Sequence, residues 1–430
     1  MDSGRSYSPT KQLVIFDLDG TLFQSDLVWI DAIQQALVDV GLPQKSRDEL
    51  LSYFGDSPKV LIPKLTSDLP KRKLRKFFKL VKNYGDSRME THGKLYDGVE
   101  NMLADLQSQG FPVALCTNGR SDYAEYILKR LGIHDYFVKI KSAEKRESKA
   151  GAIKELLAGY PEAIMVGDRR NDFEAAREND IPSIAAAYGF GGDEVKLADY
   201  IAETPSEIQT YVKRIHIFHT VEKKVKQTQG STAHIVGING VDTSGKTTFA
   251  VEMEKYLKSR GHQTMIIHLD DFHNPRDVRS RGADPIQSYI DNAFNLELLE
   301  KEILAPISRG QTLDKELKLL ELESDEFTNV KRYRIDKDTI VILEGVLLYR
   351  EPINKYFCIR VFLDVEFREV LRRAGERDTA RFGPEFIKRY KTKYIPVQKR
   401  YLEDCKPVER SDVVVDNNDY IRPYLVEKPC

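Results

Sequence analysis

Two aspartates follow a short apolar run near the beginning of the chain, where a strand would end. The run covers residues 13–16, and Asp17 and Asp19 come directly after it. Short apolar runs bounded by glycine and polar residues are typical of buried parallel strands, and ligands of open α/β sheets bind at the carboxyl ends of such strands. Two carboxylates there could hold a hard divalent cation or divide the roles of nucleophile and general acid. Alone, such a pair could equally be a turn cap.

Further polar residues stand at the ends of two later strand candidates, 112–116 and 163–166. They supply a hydroxyl, an amide, an ammonium group and two more carboxylates: Thr117, Asn118, Lys149, Asp168 and Asp172. A carboxylate reaches a phosphate dianion only if positive charge offsets the repulsion, so acids together with a lysine favour phosphoryl chemistry.

A second group of residues begins at Gly240 and fits the pattern GxxxxGK[ST] in full. A strand candidate, 234–238, precedes this loop and a helix candidate, 248–259, follows it, which is the context that a P-loop requires. Backbone amides of such a loop surround phosphates, Lys246 reaches the β/γ oxygens, and the Thr247 hydroxyl joins Mg²⁺. The predicted nucleotide-binding residues are Gly240, Asp242, Thr243, Ser244, Gly245, Lys246, Thr247 and Thr248.

Residues farther along the chain favour a kinase over other P-loop proteins. Asp270 follows the strand candidate 264–269 and is placed to act as a base for an acceptor hydroxyl. Glu344 ends the candidate 339–343 and is suited to orienting Mg²⁺ and its waters. Four arginines lie on a segment that could close over the phosphates and stabilise the transferring group: Arg372, Arg373, Arg377 and Arg381.

The elements that must position these residues are strands alternating with helices, which indicates two doubly wound parallel sheets of the α/β class. Helical patterns at 27–40 and 74–81 replace strands between the first and second candidates and predict a cap. We expect a first domain at 11–212 with its helical cap at about 24–91, a helix and linker at 213–231, and a second domain at 232–430. The basic stretch of the linker is interpreted as a solvated helix face.

Composition limits the classes of protein that the chain could be. The 430 residues carry 66 Lys+Arg against 67 Asp+Glu, a net charge of -1 that disfavours a large nucleic-acid-binding surface. Four scattered cysteines predict a reduced, cytoplasmic protein, and the sequence shows neither a signal-peptide core nor an apolar run of about 18 to 20 residues that a membrane span needs.

Over residues 11 to 210 the chain resembles the haloacid dehalogenase superfamily, and most of all its phosphoglycolate-phosphatase group. The resemblance implies that Asp17 attacks phosphorus and that Asp19 protonates the leaving alcohol and then activates water. It implies that Thr117 and Lys149 hold the phosphoryl oxygens, with Asn118 near the substrate. The implied magnesium residues are Asp17, Asp19 through its carbonyl, Asp168 and Asp172.

Over residues 232 to 420 the chain resembles the uridine kinase and phosphoribulokinase family. The residues that carry this resemblance are the P-loop, Asp270-Asp271-Phe272-His273, Glu344-Gly345 and the arginine cluster. The resemblance implies Asp270 as catalytic base, Thr247 and Glu344 as magnesium residues, and ATP or GTP as donor. The family's DHPDAFD-like segment corresponds to 289–295 here and lacks two of its acids, which leaves the identity of the acceptor open. Asp291 is still expected on an acceptor sugar. His273, Arg372 and Arg373 complete the expected substrate contacts.

The sequence therefore predicts a bifunctional enzyme that hydrolyses a small phosphomonoester and phosphorylates a nucleoside-like hydroxyl, with Mg²⁺ at both sites and no membrane partner. Two alternatives stay open at this stage. The first is a 3′-phosphatase and 5′-kinase that processes polynucleotide ends, and the second is a nucleotide-gated regulatory protein.

Overall fold

The structure is a computed structural model that describes residues 12–55, 58–67, 69–143, 148–228, 232–383 and 385–426, with the backbone alone described at 58–59 and 378–382. It divides into two compact units, the first ending at Val212 and the second beginning at Lys213. In the described residues, no helix is both long enough and apolar enough to cross a membrane.

The first unit contains a six-stranded, entirely parallel sheet in the order β3-β2-β1-β4-β5-β6. Its strands are β1 (Gln12–Phe16), β2 (Val113–Thr117), β3 (Phe137–Ser142), β4 (Glu162–Gly167), β5 (Ser183–Ala186) and β6 (Tyr200–Ala202). Every residue of β1 and of β2 is buried, as expected for strands covered on both faces.

Helices cover both faces of this sheet and also form the segment between β1 and β2. They are α1 (Asp26–Asp39), α2 (Arg47–Leu51), α3 (Pro58–Thr66), α4 (Lys71–His92), α5 (Val99–Ser108), α6 (Ser121–Arg130), α7 (Lys149–Leu156) and α8 (Arg170–Glu178). The helices predicted at 27–40 and 74–81 are present within α1 and α4. Helices α1 to α4 share a hydrophobic core of their own, which includes Ile30, Leu37, Leu50 and Phe77.

The second unit contains a sheet in the order β14-β13-β12-β7-β11-β8, parallel except for the pair β13 and β14, and a separate antiparallel hairpin, β9 and β10. Its strands are β7 (His234–Gly240), β8 (Thr264–His268), β9 (Leu313–Glu321), β10 (Glu326–Ile335), β11 (Ile340–Gly345), β12 (Ile359–Asp364), β13 (Val413–Asp416) and β14 (Tyr424–Leu425).

The helices of the second unit are shorter and more numerous. They are α10 (Lys246–Ser259), α11 (Arg276–Arg279), α12 (Pro285–Asn292), α13 (Leu296–Leu299), α14 (Ala305–Ser308), α15 (Phe367–Phe382), α16 (Glu385–Arg389), α17 (Ile395–Cys405) and α18 (Pro407–Arg410). The predicted fold class, two doubly wound parallel sheets, is confirmed.

Two features differ from the sequence-based expectation. The hairpin β9–β10 was not expected, because many of its residues are charged, more than half are exposed, and its apolar residues form no run longer than two. A helix and linker were expected at 213–231; the helix, α9 (Pro205–Gln227), begins before that segment and reaches Gln227, so less of the segment is linker than expected. Its Phe218 is fully buried and packs on Phe249 and Tyr256 of α10, so this stretch is core rather than a solvated face.

Candidate functional sites

The order of strands brings the predicted residues of the first unit together. Strand β1 lies between β2 and β4 and pairs in parallel with both. The carboxyl ends of the three strands therefore meet at one edge, which places Asp17, Thr117 and Asp168 side by side. Helix α8 begins just after Asp168, and its first turn supplies Asp172.

The carboxylates of Asp17, Asp168 and Asp172 form the centre of this site. Together with the adjoining Lys149, we call them the Asp17 site. All three acids are buried, and one oxygen of each lies within 4.8 Å of the others. The Lys149 ammonium lies 2.5 Å from Asp17 Oδ1 and also contacts Asp172. Hard oxygen donors in this number suit Mg²⁺, so the residues fit the expected ion.

Burial shapes the electrostatics of the Asp17 site. It raises the pKa of Asp17, with repulsion from Asp172 adding to the effect and Lys149 opposing it. Burial likewise raises the pKa of Asp168 well above its ordinary range. For Lys149, burial disfavours the ammonium form, but the carboxylates of Asp17 and Asp172 outweigh it and raise the pKa. The site therefore holds excess negative charge that a cation would offset.

The carboxylate of Asp19 is directed to a different set of partners. Tyr123 on α6 donates its hydroxyl to Asp19 Oδ1 at 2.7 Å, and Trp29 on α1 donates its indole N–H to the Tyr123 hydroxyl at 3.0 Å. Burial raises the pKa of Asp19, which favours the protonated form that a general acid needs. Neither Tyr123 nor Trp29 was predicted from the sequence to interact with Asp19. The position of the chain's one tryptophan in the helix after Asp19 was the available signal.

One glycine in the loop after β1 is dictated by geometry. Gly20 has a φ of 85°, in the region that favours glycine, and a side chain there would overlap the Asp168 carboxylate. The backbone conformation at Gly20 and the position of the Asp168 carboxylate are therefore coupled.

Thr117 and Asn118 lie at the end of β2, as predicted. The buried Thr117 hydroxyl accepts a hydrogen bond from the Gly119 N–H at 3.0 Å. Asn118 donates to the Gly55 carbonyl at 2.9 Å, and Asn171 donates to the same oxygen at 3.2 Å. Gly55 belongs to the helical segment between β1 and β2, so both amides attach that segment to the sheet's edge.

In the second unit, the P-loop connects β7 to α10. Thr243 has a φ of 55° and Gly245 a φ of 91°, left-handed conformations of the kind that concentrate at functional loops. A side chain at Gly240 would come within 2.8 Å of the Leu363 carbonyl. Lys246 is buried and donates to the Val241 carbonyl at 2.8 Å, so its ammonium lies inside the loop that it is expected to serve.

The expected magnesium residues of the second unit are in direct contact. The Thr247 hydroxyl donates to Glu344 Oε1 at 3.0 Å, and His268 Nδ1 lies 2.7 Å from the same oxygen. The hydrogen bond to Glu344 raises the pKa of His268. Burial alone would raise the pKa of Glu344, but His268 and Lys246 more than compensate and lower it. The residues fit Mg²⁺, since a carboxylate and a hydroxyl are oxygen ligands.

Asp270 lies at the end of β8 and is exposed. Burial raises the pKa of the P-loop residue Asp242; Lys246 opposes this effect, and repulsion from the nearby Asp270 adds to it. His273 Nδ1 contacts the Asp270 backbone carbonyl at 2.6 Å. Its ring packs on Phe294 with centroids 4.5 Å apart.

Two aromatic rings, one on α12 and one directly before α17, pack against each other. The Tyr289 and Tyr394 rings meet edge to face with centroids 5.9 Å apart, and the Lys393 ammonium lies 4.9 Å from the Tyr289 centroid. Asp291, expected on an acceptor sugar, is exposed on α12 and accepts a hydrogen bond from Gln287 at 2.9 Å.

The predicted arginines divide into groups with different partners. Arg372 is bound to Glu369 and Glu376 on its own helix. Arg373 donates to the backbone carbonyls of Thr243 and Asn417, so it braces the P-loop. Arg377 donates to the Tyr390 hydroxyl at 3.3 Å, and the side chain of Arg381 lies outside the described residues.

A cavity of about 420 Å³ opens beside the P-loop. Its lining includes Lys246, Thr247, Thr248 and the arginines 372, 373 and 377, together with Arg214, Ile217 and Tyr420. Arg214, on α9, contacts Glu252 and donates to the Tyr420 carbonyl. The contribution of α9 to this cavity was not predicted from the sequence, because nothing in a basic helical stretch indicates which of its residues reach the P-loop.

Comparison with known proteins agrees with the predicted family of each half of the chain. Residues 14–186 match the model of the haloacid dehalogenase-like hydrolases, and residues 235–417 match that of the phosphoribulokinase / uridine kinase family. A phosphoglycolate phosphatase of Agrobacterium fabrum is 27% identical over 224 residues, covering 48% of this chain and 96% of the relative.

Two further relatives each match about half of the chain. Tyrosine-protein kinase PtkA of Mycobacterium tuberculosis is 30% identical over 220 residues, covering 49% of this chain and 73% of the relative. The solved structure of a possible uridine kinase from Bacillus stearothermophilus has 22% identity and a TM-score of 0.36, covering 47% of this chain and 98% of that one.

Proposed function

Because the N-terminal half belongs to the haloacid dehalogenase-like hydrolases and the C-terminal half to the phosphoribulokinase / uridine kinase family, we propose that the chain is a bifunctional phosphatase and small-molecule kinase. The observation that carries the first activity is the buried contact of Lys149 with Asp17 and Asp172 beside Asp168. The observation that carries the second activity is the contact of Thr247 with Glu344 next to the P-loop.

In the proposed hydrolysis, an Asp17 oxygen attacks phosphorus while the bond to the leaving oxygen breaks, and Asp19 gives its proton to that oxygen. Water then attacks the aspartyl-phosphate and passes its proton to Asp19, so that inorganic phosphate leaves and the Asp17 carboxylate is regenerated. Lys149 and Thr117 hold the phosphoryl oxygens. Mg²⁺ at Asp17, Asp168 and Asp172 would lower the charge repulsion between nucleophile and substrate.

In the proposed phosphoryl transfer, the P-loop amides and Lys246 hold the phosphates of ATP or GTP, and Asp270 accepts the proton of the acceptor hydroxyl. Mg²⁺ near Thr247 and Glu344 would offset the charge on the transferred group. The rings of Tyr289 and Tyr394 support an acceptor that carries a ring of its own, which favours a nucleoside-like compound.

The phosphatase is tested with purified chain, Mg²⁺ and a panel of phosphomonoesters, scored by released phosphate. Asp17→Asn is expected to abolish turnover, and Asp135→Asn, at a fully exposed carboxylate, to leave it unchanged. Turnover that survives Asp17→Asn would overturn the assignment.

The kinase is tested with ATP or GTP, Mg²⁺ and a panel of nucleosides, scored by acceptor-dependent nucleoside diphosphate release. Lys246→Ala is expected to lose at least a hundredfold in kcat, while Lys258→Ala on the same helix is expected to leave kcat unchanged. Phosphorylation of oligonucleotide 5′ ends in place of nucleosides would refute the small-molecule acceptor, and tight ATP binding without any transfer would refute the kinase.

A further inference from the structure

A cavity of about 380 Å³ lies over Asp17 and Asp19 and has an apolar lining; we call it the apolar cavity. Helices α1, α3 and α4 and the segment before Gly55 supply most of its walls, including Trp29, Phe54, Leu61, Ile62, Phe78 and Val81. Apolar walls with a few polar groups at one end are typical of small-molecule sites.

Charge is scarce in the apolar cavity. Besides Asp17 and Asp19, the one charged side chain of its described lining is Arg120. Arg120 is 71% exposed, and its guanidinium is held by two hydrogen bonds to Asp122. Within the described residues, this lining therefore offers a substrate no buried cation beyond the phosphoryl site itself.

A second cavity, of about 390 Å³, lies on the other side of Gly55 and is polar. Lys149, Arg169, Arg170 and Asn171 line it, and Gly55 borders both cavities. The Gly55 carbonyl is fixed by the amides of Asn118 and Asn171, which holds the division between the cavities in place.

The position of Asp19 determines which cavity receives the alcohol part of a substrate. Asp19 and its partner Tyr123 line the apolar cavity, whereas the described lining of the polar cavity includes neither of them. In the proposed mechanism Asp19 protonates the leaving oxygen, so that oxygen must lie within hydrogen-bond reach of Asp19. The group attached to it then extends into the apolar cavity.

We propose, on the basis of the proposed phosphatase function, that the Asp17 site selects phosphomonoesters of uncharged, mainly apolar alcohols and discriminates against carboxylated ones. An apolar cavity of about 150 Å³ holds a benzene ring, so 380 Å³ accommodates one ring with a short linker and the phosphoryl group. Among the described lining residues, no buried cation would pair with a substrate carboxylate there, and burying an unpaired carboxylate costs far more than losing a packed methylene group.

This selectivity separates the chain from the phosphoglycolate phosphatases that it resembles in sequence. Phosphoglycolate places a carboxylate one carbon from the leaving oxygen. In this chain that carboxylate would lie among Trp29, Phe54 and Phe78 and near the negative charge of Asp17. Repulsion and desolvation therefore act against it together.

The test compares kcat/KM of the full chain with Mg²⁺ for benzyl phosphate, ethyl phosphate and 2-phosphoglycolate. All three are alkyl esters, so their intrinsic reactivities are similar and the ratio reports on the cavity. We expect benzyl phosphate to exceed ethyl phosphate at least tenfold and 2-phosphoglycolate at least a hundredfold. Equal values, or a preference for 2-phosphoglycolate, would overturn the inference.

Two variants test whether the cavity is the cause. Phe78→Ala is expected to lower the benzyl-to-ethyl ratio about tenfold, because it removes part of the apolar wall. Ile62→Arg, which adds a cation, is expected to shift the benzyl-to-phosphoglycolate ratio at least tenfold toward phosphoglycolate. The matched control is Val38→Arg on α1, whose side chain is 50% exposed and outside the cavity, and it is expected to shift neither ratio. Ratios that move equally in Ile62→Arg and Val38→Arg would refute the role of the cavity.

A binding measurement separates failure of this inference from failure of the proposed function. Benzylphosphonate and phosphonoacetate, which carry a C–P bond in place of the ester bond and so need no turnover, are titrated calorimetrically into the unmutated full chain with Mg²⁺. Tighter binding of benzylphosphonate supports the inference even if hydrolysis is slow. Hydrolysis of none of the three esters refutes the phosphatase function, whereas hydrolysis with tighter binding of phosphonoacetate refutes only the selectivity.

Discussion

The buried contact between Lys149 and two aspartates gives a prediction that does not depend on finding the substrate. The side chains of Lys149, Asp17 and Asp172 are 5%, 6% and 1% exposed, so their charges are compensated mainly by one another. We predict that Lys149→Met, which keeps the length and packing of the side chain, destabilises the first unit strongly.

The magnitude follows from the geometry. At 2.5 Å from Asp17, and with an effective dielectric constant of about 20, the Coulomb attraction is about 7 kcal/mol before desolvation. Removing one partner of a buried pair leaves the other charge uncompensated and costs about 3–5 kcal/mol. With a urea m-value of about 2 kcal/mol per M, the midpoint is expected to fall by about 1.5–2.5 M.

The assay uses Trp29, the one tryptophan of the chain, which lies in the first unit. Its fluorescence during urea unfolding, without added Mg²⁺, reports on that unit. The matched control is Lys154→Met, an exposed lysine on the same helix as Lys149, and its free energy of unfolding is expected to stay within about 0.5 kcal/mol of the parent.

A double variant checks the physical cause. Adding Asp17→Asn to Lys149→Met removes one of the carboxylates that lost its partner, so the double variant is expected to recover about 1–3 kcal/mol relative to additivity. Equal midpoints for Lys149→Met and Lys154→Met would refute the reasoning, and strict additivity would show that Asp17 is not the residue that Lys149 compensates.

Three further predictions concern the metal site, the loop beside it and a buried acid in the second unit. Saturating Mg²⁺, at about 100 times its Kd, is expected to raise the stability that Trp29 reports by about 2.7 kcal/mol, whereas an unchanged midpoint would contradict the metal site. Gly20→Ala is expected to cost about 2–4 kcal/mol and to remove most of that Mg²⁺ effect, because the added methyl group meets the Asp168 carboxylate; an unaltered Mg²⁺ response would contradict the coupling. Burial would raise the pKa of Glu222, but hydrogen bonds from Lys226, His262 and Tyr256 lower it to about 2 from 4.5. Glu222 therefore adds stability above pH 4.5 that is lost as the pH falls toward 2. Calorimetry of Glu222→Gln is expected to show a loss of about 2 kcal/mol at pH 7 that shrinks across this window, and a constant loss would contradict the titration.

The grouping of the candidate residues at both sites was predictable from sequence, because these residues stand at strand ends. A strand end is visible as the point where an apolar run meets a polar residue, and strand order in a doubly wound sheet then brings several such ends to one edge. Asp17, Thr117 and Asp168 were predicted in this way, and their side-by-side position in the structure agrees with it. The P-loop and Glu344 follow the same logic around β7 and β11.

Contacts between distant parts of the chain were decided only by the tertiary structure. The hydrogen bond of Trp29 to Tyr123 joins residues 94 apart, and that of Tyr123 to Asp19 joins residues 104 apart. Arg373 is expected on substrate because it belongs to an arginine cluster, and the structure adds that its guanidinium binds loop carbonyls, which the sequence does not indicate. A charge pattern in the sequence shows that a cation is present, but it does not show which acceptor will lie next to that cation after the chain has folded.

The sequence by itself therefore determined which residues are candidates for the reacting groups, since motifs and apolar runs are local and their physical reasons act within a few residues. The tertiary structure decided the surroundings of those groups: which cavity Asp19 borders, that its walls are apolar, and that α9 contributes to the P-loop cavity. The walls come from helices whose apolar residues are indistinguishable, in sequence, from ordinary core residues. Whether such a residue fills a core or lines a cavity depends on what packs against it, and that is settled only when the whole chain has folded.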